Sequence, residues 1–285
     1  MEIISSCEKM QELAKTWQKE GFVVGLVPTM GYLHEGHLSL AQAARKKCDI
    51  VVMSIFVNPT QFGPNEDFAV YPRDLAHDTK LAQSVGVDYI FHPQAEDMYP
   101  EHYSTYVQVE GLTETLCGKA RPGHFRGVTT VVSKLFHLVL PQMAFFGQKD
   151  GQQVAVVERM VKDLNFPVTI VRVPIQRQSD GLALSSRNIY LSEEEKKQAT
   201  VLSRSLRMAQ KAAQNGEKNA AALKELIYQE ISRQDLAKIE YVEIVDAVTM
   251  QPVTELKEQV MIALAVRFGK TRLIDNIMIP QNCED

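Results

Sequence analysis

Two histidines in a glycine-containing turn are the residues of this chain best suited to chemistry. His34 and His37 end the segment PTMGYLHEGH at 28–37, which lies between an apolar run and a helical pattern beginning at Leu38. A turn from a strand into a helix presents free backbone N–H groups to an anion. Two imidazoles beside it can donate hydrogen bonds to phosphate oxygens. We therefore predict that this turn binds phosphate.

Zinc binding and a surface role are the alternatives for these histidines. The zinc metalloprotease pattern places two histidines four apart on one helical face, whereas His34 and His37 are three apart with Gly36 between them. This spacing disfavours zinc, and we expect no metal-binding residues. A pair of solvent-facing histidines in a loop stays open on the motif alone.

The composition is typical of a soluble globular protein. The chain has 285 residues, of which 45% are hydrophobic and 23% charged, with a net charge of −4. A negative overall charge does not favour binding to nucleic acid or to an anionic membrane, so we expect neither partner. The four cysteines have no paired spacing, and neither a signal peptide nor an apolar run of about 18 residues is present. We therefore expect a cytoplasmic protein.

Apolar runs alternate with helical patterns over about the first 175 residues. This alternation predicts a doubly wound, parallel α/β sheet with helices on both faces. The predicted strands are 22–27, 50–57, 88–92, 143–146 and 168–173, and the predicted helices lie near 37–47, 74–85, 127–139 and 151–163.

The pattern changes after the Ser-Asp-Gly sequence at 179–181. Ser192 to Glu195 form a capping box that predicts one long amphipathic helix to about residue 214, where Asn215 and Gly216 end it. A second helix is predicted at 219–233, followed by strands at 239–246, 260–268 and 272–279. Helices followed by strands favour a separate, smaller α+β domain.

A long loop with prolines and aromatic residues follows the strand at 50–57. It runs from Asn58 to Arg73, and a loop of this length inside a domain usually serves function. Gln61 lies just beyond the carboxyl end of the strand and can both donate and accept hydrogen bonds, which suits a small polar substrate. A solvent-facing glutamine is the alternative.

Lys119, Arg121 and Arg126 form a local cationic cluster. Such a cluster could close over a polyphosphate, although charge clusters are often only solvated.

Two more segments carry groups suited to a nucleotide. In the turn after the strand at 143–146, Lys149 can place a charge on phosphate and Asp150 can take a ribose hydroxyl or a metal. The turn lacks the spacing of a Walker A loop. Near the domain boundary, the hydroxyls at 185 and 186 and the guanidinium of Arg187 could reach a triphosphate, or belong to an ordinary loop.

These segments together resemble the pantoate–β-alanine ligase family along the whole chain. Six motifs occur in the family's order and spacing: PTMGxLHEGH at 28–37, FVNPxQF at 56–62, YPRD at 71–74, RPGHFRGV at 121–128, FFGQKDxQQ at 145–153 and DGLALSSRN at 180–188. The HxGH turn is also similar to the wider nucleotidyltransferase superfamily and to class I aminoacyl-tRNA synthetases.

The resemblance implies a Rossmann-like domain at 1–175 that binds ATP and pantoate, a lid-like α+β domain at 176–285, and a homodimer. It also implies an AMP-forming ligase of pantothenate biosynthesis. The carboxylate of (R)-pantoate would attack the α-phosphorus of ATP, and β-alanine would then displace AMP from pantoyl adenylate. Mg²⁺ would arrive with the phosphates of ATP.

The resemblance also implies a role for each matching residue. His34, His37, Lys149 and Arg187 would be catalytic, and His37 is the family's proton donor, although phosphate stabilisation is the safer description of both histidines. Gln61 and Gln153 would bind pantoate, and Gln61 also β-alanine. The expected ATP-binding residues are Met30, Gly31, Tyr32, Leu33, His34, Glu35, Gly36, His37, Gly147, Gln148, Lys149, Asp150, Gln176, Leu184, Ser185, Ser186 and Arg187.

Two positions depart from the family's pattern, and two other functions stay open. Tyr32 replaces a residue that is usually small, and Gly151 replaces an aromatic residue, which we expect to loosen the start of that helix. An adenylyltransferase of the same superfamily would not need the two glutamines. A catalytically silent nucleotide-binding protein is disfavoured by the intact histidines, Lys149 and Arg187.

Overall fold

Six parallel strands form the larger sheet of the protein. The computed structural model describes residues 1–64 and 66–280. The strand order is β1-β4-β3-β2-β5-β6. The strands are β1 Glu2–Ile4, β2 Val24–Thr29, β3 Ile50–Ile55, β4 Tyr89–Phe91, β5 Met143–Gly147 and β6 Thr169–Val173. The chain adds β3 and β4 on one side of β2, then β5 and β6 on the other, so the topological switch point lies at β2.

Helices occupy the connections between these strands. They are α1 Cys7–Glu20, α2 Glu35–Arg45, α3 Leu75–Ser84, α4 Ala95–Met98, α5 Leu116–Ala120, α6 His124–Val139 and α7 Gly151–Asp163. Every residue of β3 is buried, as expected of a parallel strand covered on both faces. The predicted doubly wound sheet is confirmed.

A three-stranded antiparallel sheet and three helices form the smaller part of the fold. They are α8 Glu193–Ala199, α9 Val201–Gln214, α10 Ala220–Ile231, β7 Ala237–Asp246, β8 Val260–Phe268 and β9 Thr271–Ile279. The order is β7-β8-β9, and the apolar core includes Leu206 of α9, Ile227 of α10 and Leu264 of β8. The predicted α+β fold of this region is confirmed.

The chain divides into two compact units with interleaved sequences. One contains residues 1–110, 120–147 and 156–173, and the other contains 111–119, 148–155 and the described residues from Pro174 onward. Each unit has its own buried apolar cluster. None of the helices in the described part of the chain is long and apolar enough to span a membrane.

The single long helix predicted to run to residue 214 is wrong, because Thr200 separates two helices. The hydroxyl of Thr200 donates a hydrogen bond to the carbonyl of Lys197, three residues back. Such a bond does not by itself end a helix, since Ser203 and Ser205 make the same kind of bond at and within the start of α9. The predicted start is confirmed, since Ser192 and Glu195 form a reciprocal capping box.

Strand β1 and helix α1 were missed by sequence reasoning although α1 carries local signals. Ser6 caps its first turn, Gly21 ends it with a positive φ, and Met10, Ala14 and Trp17 form its buried face. Cys7, Cys48 and Cys117 are free thiols, and Cys283 lies outside the described residues.

Helix α6 packs closely against the loop that follows β3. A Cβ atom added at Gly127 would lie 2.3 Å from the carbonyl oxygen of Thr60 and 2.6 Å from the Cα of Gln61. Both neighbours are backbone atoms, which cannot rotate away as a side chain can. The absence of a side chain at Gly127 therefore sets the distance between α6 and residues 60–61.

Gly127→Ala should destabilise the protein by about 1–3 kcal/mol, because the added methyl group overlaps the backbone of this loop. Urea unfolding of both forms measures the change. Gly63→Ala is the matched control, since a Cβ at Gly63 would lie 3.7 Å from the nearest side-chain atom of Glu66. Equal stability of the two variants would contradict the close contact described here.

Candidate active site

The turn at 30–37 carries the backbone from β2 into α2 through two residues with left-handed conformation. Gly31 has φ +84° and Tyr32 has φ +51°. A Cβ at Gly31 would lie 2.9 Å from a carboxylate oxygen of Asp78 and 3.0 Å from the side chain of Ile55. Glycine is therefore required at 31 both by conformation and by space.

His34 and His37 form the start of α2 and are held by backbone amides. His34 is the N-cap, and its Nδ1 accepts a hydrogen bond from the N–H of Gly36 at 3.1 Å. The N–H of His34 in turn donates to Nδ1 of His37 at 3.3 Å. A ring nitrogen that accepts carries no proton, so each neutral imidazole has its proton on Nε2. Both rings can therefore donate from Nε2 to an anion.

The two imidazole rings lie side by side, with centroids 4.1 Å apart. They stand at the amino end of an eleven-residue helix, where the helix dipole favours negative charge. The structure thus brings together two Nε2–H donors and a helix N-terminus. This arrangement suits the oxygens of a phosphate group better than a metal ion. Within the described residues, no group of three or more metal-ligating side chains occurs.

Asp78 on α3 holds this turn, and sequence reasoning missed it. Asp78 is 1% exposed, and its carboxylate accepts hydrogen bonds from the N–H groups of Tyr32 at 2.8 Å and Leu33 at 2.7 Å. Burial raises the pKa of this carboxyl, and the two backbone hydrogen bonds oppose that rise. A signal was present, since Asp78 lies on the same helical face as the buried Ala82.

Gln61 lies next to the turn, at the end of the short helical turn Pro59–Gln61. Its Nε2 is 3.2 Å from the sulfur of Met30, and its Oε1 accepts a hydrogen bond from Nδ2 of Asn58 at 3.0 Å. A thioether is a weak acceptor, so a ligand oxygen can replace that contact at little cost. The structure thus places Gln61 beside Met30, two of the predicted site residues.

Asn58 is the buried side chain that orients Gln61. It is 1% exposed, and its Oδ1 accepts from the hydroxyl of Tyr99 at 2.7 Å. Burial raises the pKa of Tyr99 to about 12, so its phenol stays protonated and remains a donor at neutral pH. Because Oδ1 is held by Tyr99, Nδ2 of Asn58 faces Gln61.

Arg121 and His124 hold the backbone of the same loop. The guanidinium of Arg121 makes two hydrogen bonds of 2.6 Å to Glu66. Burial opposes ionisation of Glu66, but Arg121 outweighs it and lowers the pKa of the carboxyl. A nitrogen of Arg121 lies 3.0 Å from Nε2 of His124, whose Nδ1 is 2.9 Å from the carbonyl of Gln61. Arg121 thus supports this loop.

Arg126 also has a partner within its own unit. Its guanidinium carbon lies 3.8 Å from the centroid of the Tyr106 ring. This cation–π contact holds the segment before α5 against α6. The sequence-based hypothesis that the cations at 119, 121 and 126 close over a polyphosphate therefore receives no support from Arg121 or Arg126.

In the second unit, the predicted turn Gln148–Asp150 is a short helical turn before α7. The side chain of Lys149 is 22% exposed, and its Nζ lies 3.9 Å from a carboxylate oxygen of Asp150. Gln152 is buried and uses its whole amide on the backbone, accepting from Cys117 and donating to Leu112 and Thr115. Gln152 is therefore a structural residue.

Gln153, the next residue of α7, is half-buried, and its side chain makes no hydrogen bond to the described residues. Gln152 thus stabilises the backbone through its hydrogen bonds, whereas the side chain of Gln153 can bind a ligand. Sequence alone gave no reason to prefer Gln153, apart from the family resemblance.

The segment 176–187 folds back on itself within the second unit. The N–H of Leu184 donates to the carbonyl of Gln176 at 3.0 Å, and Ser185 caps the helical turn Ser186–Tyr190 by accepting from the N–H of Arg187. The Gln176 side chain is exposed, while its carbonyl keeps a second lone pair for a ligand. The structure thus joins Gln176, Leu184, Ser185 and Arg187 in one loop.

Gly151 is the first residue of α7, and the expected loosening of the helix there stays a prediction. A Cβ at this position would lie 2.6 Å from the sulfur of Met261 on β8. The methionine therefore occupies the space beside Gly151.

The fold defines an α/β protein with a parallel sheet and, at the start of α2, a helix N-terminus whose two histidines suit an anion. Residues 2–278 match the family described as pantoate-beta-alanine ligase. The chain therefore belongs to the pantoate-beta-alanine ligase family and is an enzyme of the ligase class.

Individual relatives match over nearly the full chain. A pantothenate synthetase of Acetivibrio thermocellus is 56% identical over 98% of this chain and 99% of its own. One of Moorella thermoacetica is 55% identical over 99% of this chain and 100% of its own.

Solved structures of the family share the fold. A pantothenate synthetase crystal structure from Thermus thermophilus has TM-score 0.92 and 46% identity, covering 97% of this chain and 99% of its own. A pantoate-beta-alanine ligase from Francisella tularensis, complexed with beta-gamma ATP and beta-alanine, has TM-score 0.79 and 35% identity, covering 98% of this chain and 97% of its own.

Asp78→Asn should weaken the hydrogen bonds that fix the turn at Tyr32 and Leu33. An amide offers one acceptor oxygen in place of two, so one of the two N–H groups loses its partner at a cost of about 1–3 kcal/mol. Hydrogen exchange should show faster exchange of these amides. Asp74→Asn on the same helix is the control, because Asn caps a helix as well as Asp does. Unchanged protection at Tyr32 and Leu33 would refute the role of Asp78.

Proposed function

We propose that this chain condenses (R)-pantoate with β-alanine to form pantothenate, using ATP and releasing AMP and pyrophosphate. The observation that carries the proposal is that His34 and His37 each accept a backbone N–H at Nδ1 at the start of α2, in the turn whose Met30 contacts the amide of Gln61. It agrees with the family's name and with the ligands of the Francisella tularensis relative.

In the first step, a carboxylate oxygen of pantoate attacks the α-phosphorus of ATP. The new bond joins that oxygen to phosphorus, the bond from the α-phosphorus to the bridging oxygen breaks, and its electron pair leaves with pyrophosphate. Negative charge builds on the phosphate oxygens during this exchange. Hydrogen bonds from His34 and His37 stabilise that charge.

The ATP-binding residues in the first unit are those of the turn from Met30 to His37. Its backbone is fixed by Asp78, so the N–H groups need no rearrangement when the phosphates bind. Gly147, at the end of β5 in the first unit, also binds ATP. In the second unit, ATP binds Gln148 to Asp150, Gln176, and the loop Leu184 to Arg187. Lys149 and Arg187 supply the positive charge.

Gln61 and Gln153 bind pantoate, and Gln61 also contacts β-alanine. Both are uncharged and can donate and accept, which suits the hydroxyl and carboxylate groups of a small hydroxy acid. Support for Gln61 comes from its replaceable contact with Met30, and support for Gln153 from its side chain having no hydrogen bond to the described residues.

In the second step, the amine of β-alanine attacks the acyl carbon of pantoyl adenylate. A carbon–nitrogen bond forms, the bond from carbon to the phosphate oxygen breaks with its electron pair going to AMP, and the nitrogen loses a proton. Activation as a phosphate ester is needed because a free carboxylate is a poor acyl donor. The two steps therefore share the acyl-binding glutamines but differ in their need for phosphate stabilisation.

Mg²⁺ fits this chain as an ion that arrives with ATP. The carboxylate of Asp150, 47% exposed, is a hard oxygen donor of the kind Mg²⁺ accepts beside substrate phosphates. Bound there, the ion would neutralise charge on the phosphates. The side chains and backbone of the protein hold and orient both substrates.

A homodimer and a cytoplasmic location complete the proposal. The dimer is supported by membership of the family alone, and light scattering of the purified protein tests it. The location is supported by the three free thiols at 7, 48 and 117, which suit a reducing compartment.

The enzyme should exchange labelled pyrophosphate into ATP when pantoate is present and β-alanine is absent. Formation of the adenylate needs only ATP and pantoate, so its reversal regenerates ATP. The measurement is label incorporation with each substrate omitted in turn. An exchange that requires β-alanine would exclude the two-step reaction.

His37→Ala and Lys149→Ala should slow adenylation by about 10² to 10³, because each removes stabilisation of charge on phosphate. Single-turnover formation of pantothenate from pre-made pantoyl adenylate and β-alanine should slow much less. His137→Ala and Lys162→Ala, outside the proposed site, are the controls. A folded variant that used the adenylate as poorly as ATP would disprove the assigned roles.

A further inference from the structure

Two neighbouring residues of β9 hold two segments of the candidate nucleotide site. Asp275 and Asn276 are 2% and 4% exposed, although successive residues of a strand point to opposite faces. Asn276 contacts the turn that carries Lys149, and Asp275 contacts Arg177, next to Gln176.

Asn276 is bonded to this turn by three hydrogen bonds. Its Nδ2 donates to the carbonyl of Gln148 at 2.9 Å and to the carbonyl of Lys149 at 2.8 Å. Its Oδ1 accepts from Nε2 of Gln148 at 3.3 Å. Both amide hydrogens and the amide oxygen of Asn276 are therefore used on two consecutive residues.

Asp275 fixes the backbone from which Asn276 reaches the turn. One of its carboxylate oxygens accepts from the N–H of Asn276 at 2.8 Å. Both oxygens also accept from Arg177, at 2.6 and 2.9 Å. A bidentate pair with the carboxylate almost fully buried is geometrically well defined. This ion pair therefore holds in place the part of β9 that carries the side chain of Asn276.

Among the residues of this turn, the side chain of Lys149 benefits most from the hydrogen bonds that Asn276 makes to the backbone. A lysine side chain is long and flexible, and ordering it has an entropic cost. Fixing the carbonyls at 148 and 149 fixes the direction in which the side chain leaves the backbone. Its ammonium group is then kept in a narrower volume before any ligand binds.

We propose that Asn276 is a positioning residue for Lys149 in the adenylation step. This proposal rests on the proposed function and adds a residue that none of the six sequence motifs contains. Asn276 acts through the backbone of Gln148 and Lys149, and it is not assigned a contact with substrate.

The test is a double-mutant cycle with Asn276→Leu, similar in size but without donors, and Lys149→Ala. Asn276→Leu should lower kcat for pantothenate formation from ATP by roughly 10- to 100-fold, since two carbonyls lose their donor. The same variant given pre-made pantoyl adenylate should stay within about threefold of wild type. In the Lys149→Ala background, the further loss should be below about threefold, because the two residues act as a unit.

Asn276→Asp is the second variant, in case Asn276→Leu does not fold. It keeps the size and the acceptor but places a carboxylate against the two carbonyls, so the same kinetic pattern is expected. Thr271→Val is the matched control, since Thr271 is also buried on β9 but lies five residues from Asn276. It should retain the activity of the wild type.

The failure of this proposal can be separated from the failure of the proposed function. A wild-type chain that forms no pantothenate from ATP, pantoate and β-alanine overturns the function. An active wild type with unaffected Asn276 variants overturns the positioning role alone. Equal losses in both half-reactions, or full additivity with Lys149→Ala, also overturn it, because a merely structural residue would give those results.

Discussion

The turn between β2 and α2 depends on one buried carboxylate. The turn must reverse direction and still present N–H groups outward, and it does so with two successive residues at positive φ. For Tyr32 this conformation costs about 1–2 kcal/mol relative to a right-handed one. Two hydrogen bonds to Asp78 offset that cost and fix the turn in an arrangement that suits an anion. The carboxylate oxygens of Asp78 each accept one of these N–H groups, so the conformation of the turn depends on both.

The same physical solution recurs at the other candidate ligand groups. Gln61 is oriented by Asn58, and Lys149 is supported by Asn276. In each case a buried polar side chain holds a more exposed one, so the exposed group is already placed when a ligand arrives. Preorganisation of this kind is effective because no reorganisation is needed as charge develops. The holding residues have no ligand chemistry of their own, which is why their mutation should change rates without changing the reaction.

Sequence reasoning predicted most of the parallel strands and the start of α8, but it missed β1 and also α1, although α1 carries local signals. Strands β2 to β6 and the capping box at Ser192 depend on neighbouring residues, and the structure contains them. Phosphate binding by the turn at 28–37 stays a prediction. The break at Thr200 falls inside a stretch that the sequence pattern predicts to be one helix. Asp78 and Asn276 act on residues about 45 and 128 positions away. Such pairs become visible only when the fold brings the segments together.

The first turn of α7 shows why a motif cannot assign roles to adjacent residues of one type. Successive residues of a helix are rotated by about 100°, so Gln152 and Gln153 face different surroundings. The side chain of Gln152 makes hydrogen bonds to the backbone within residues 112–117. The side-chain amide of Gln153 makes no hydrogen bond to the described residues. Gly151 precedes them without a side chain, and Met261 fills its place. A side chain at position 151 would therefore require Met261 of the neighbouring strand to move.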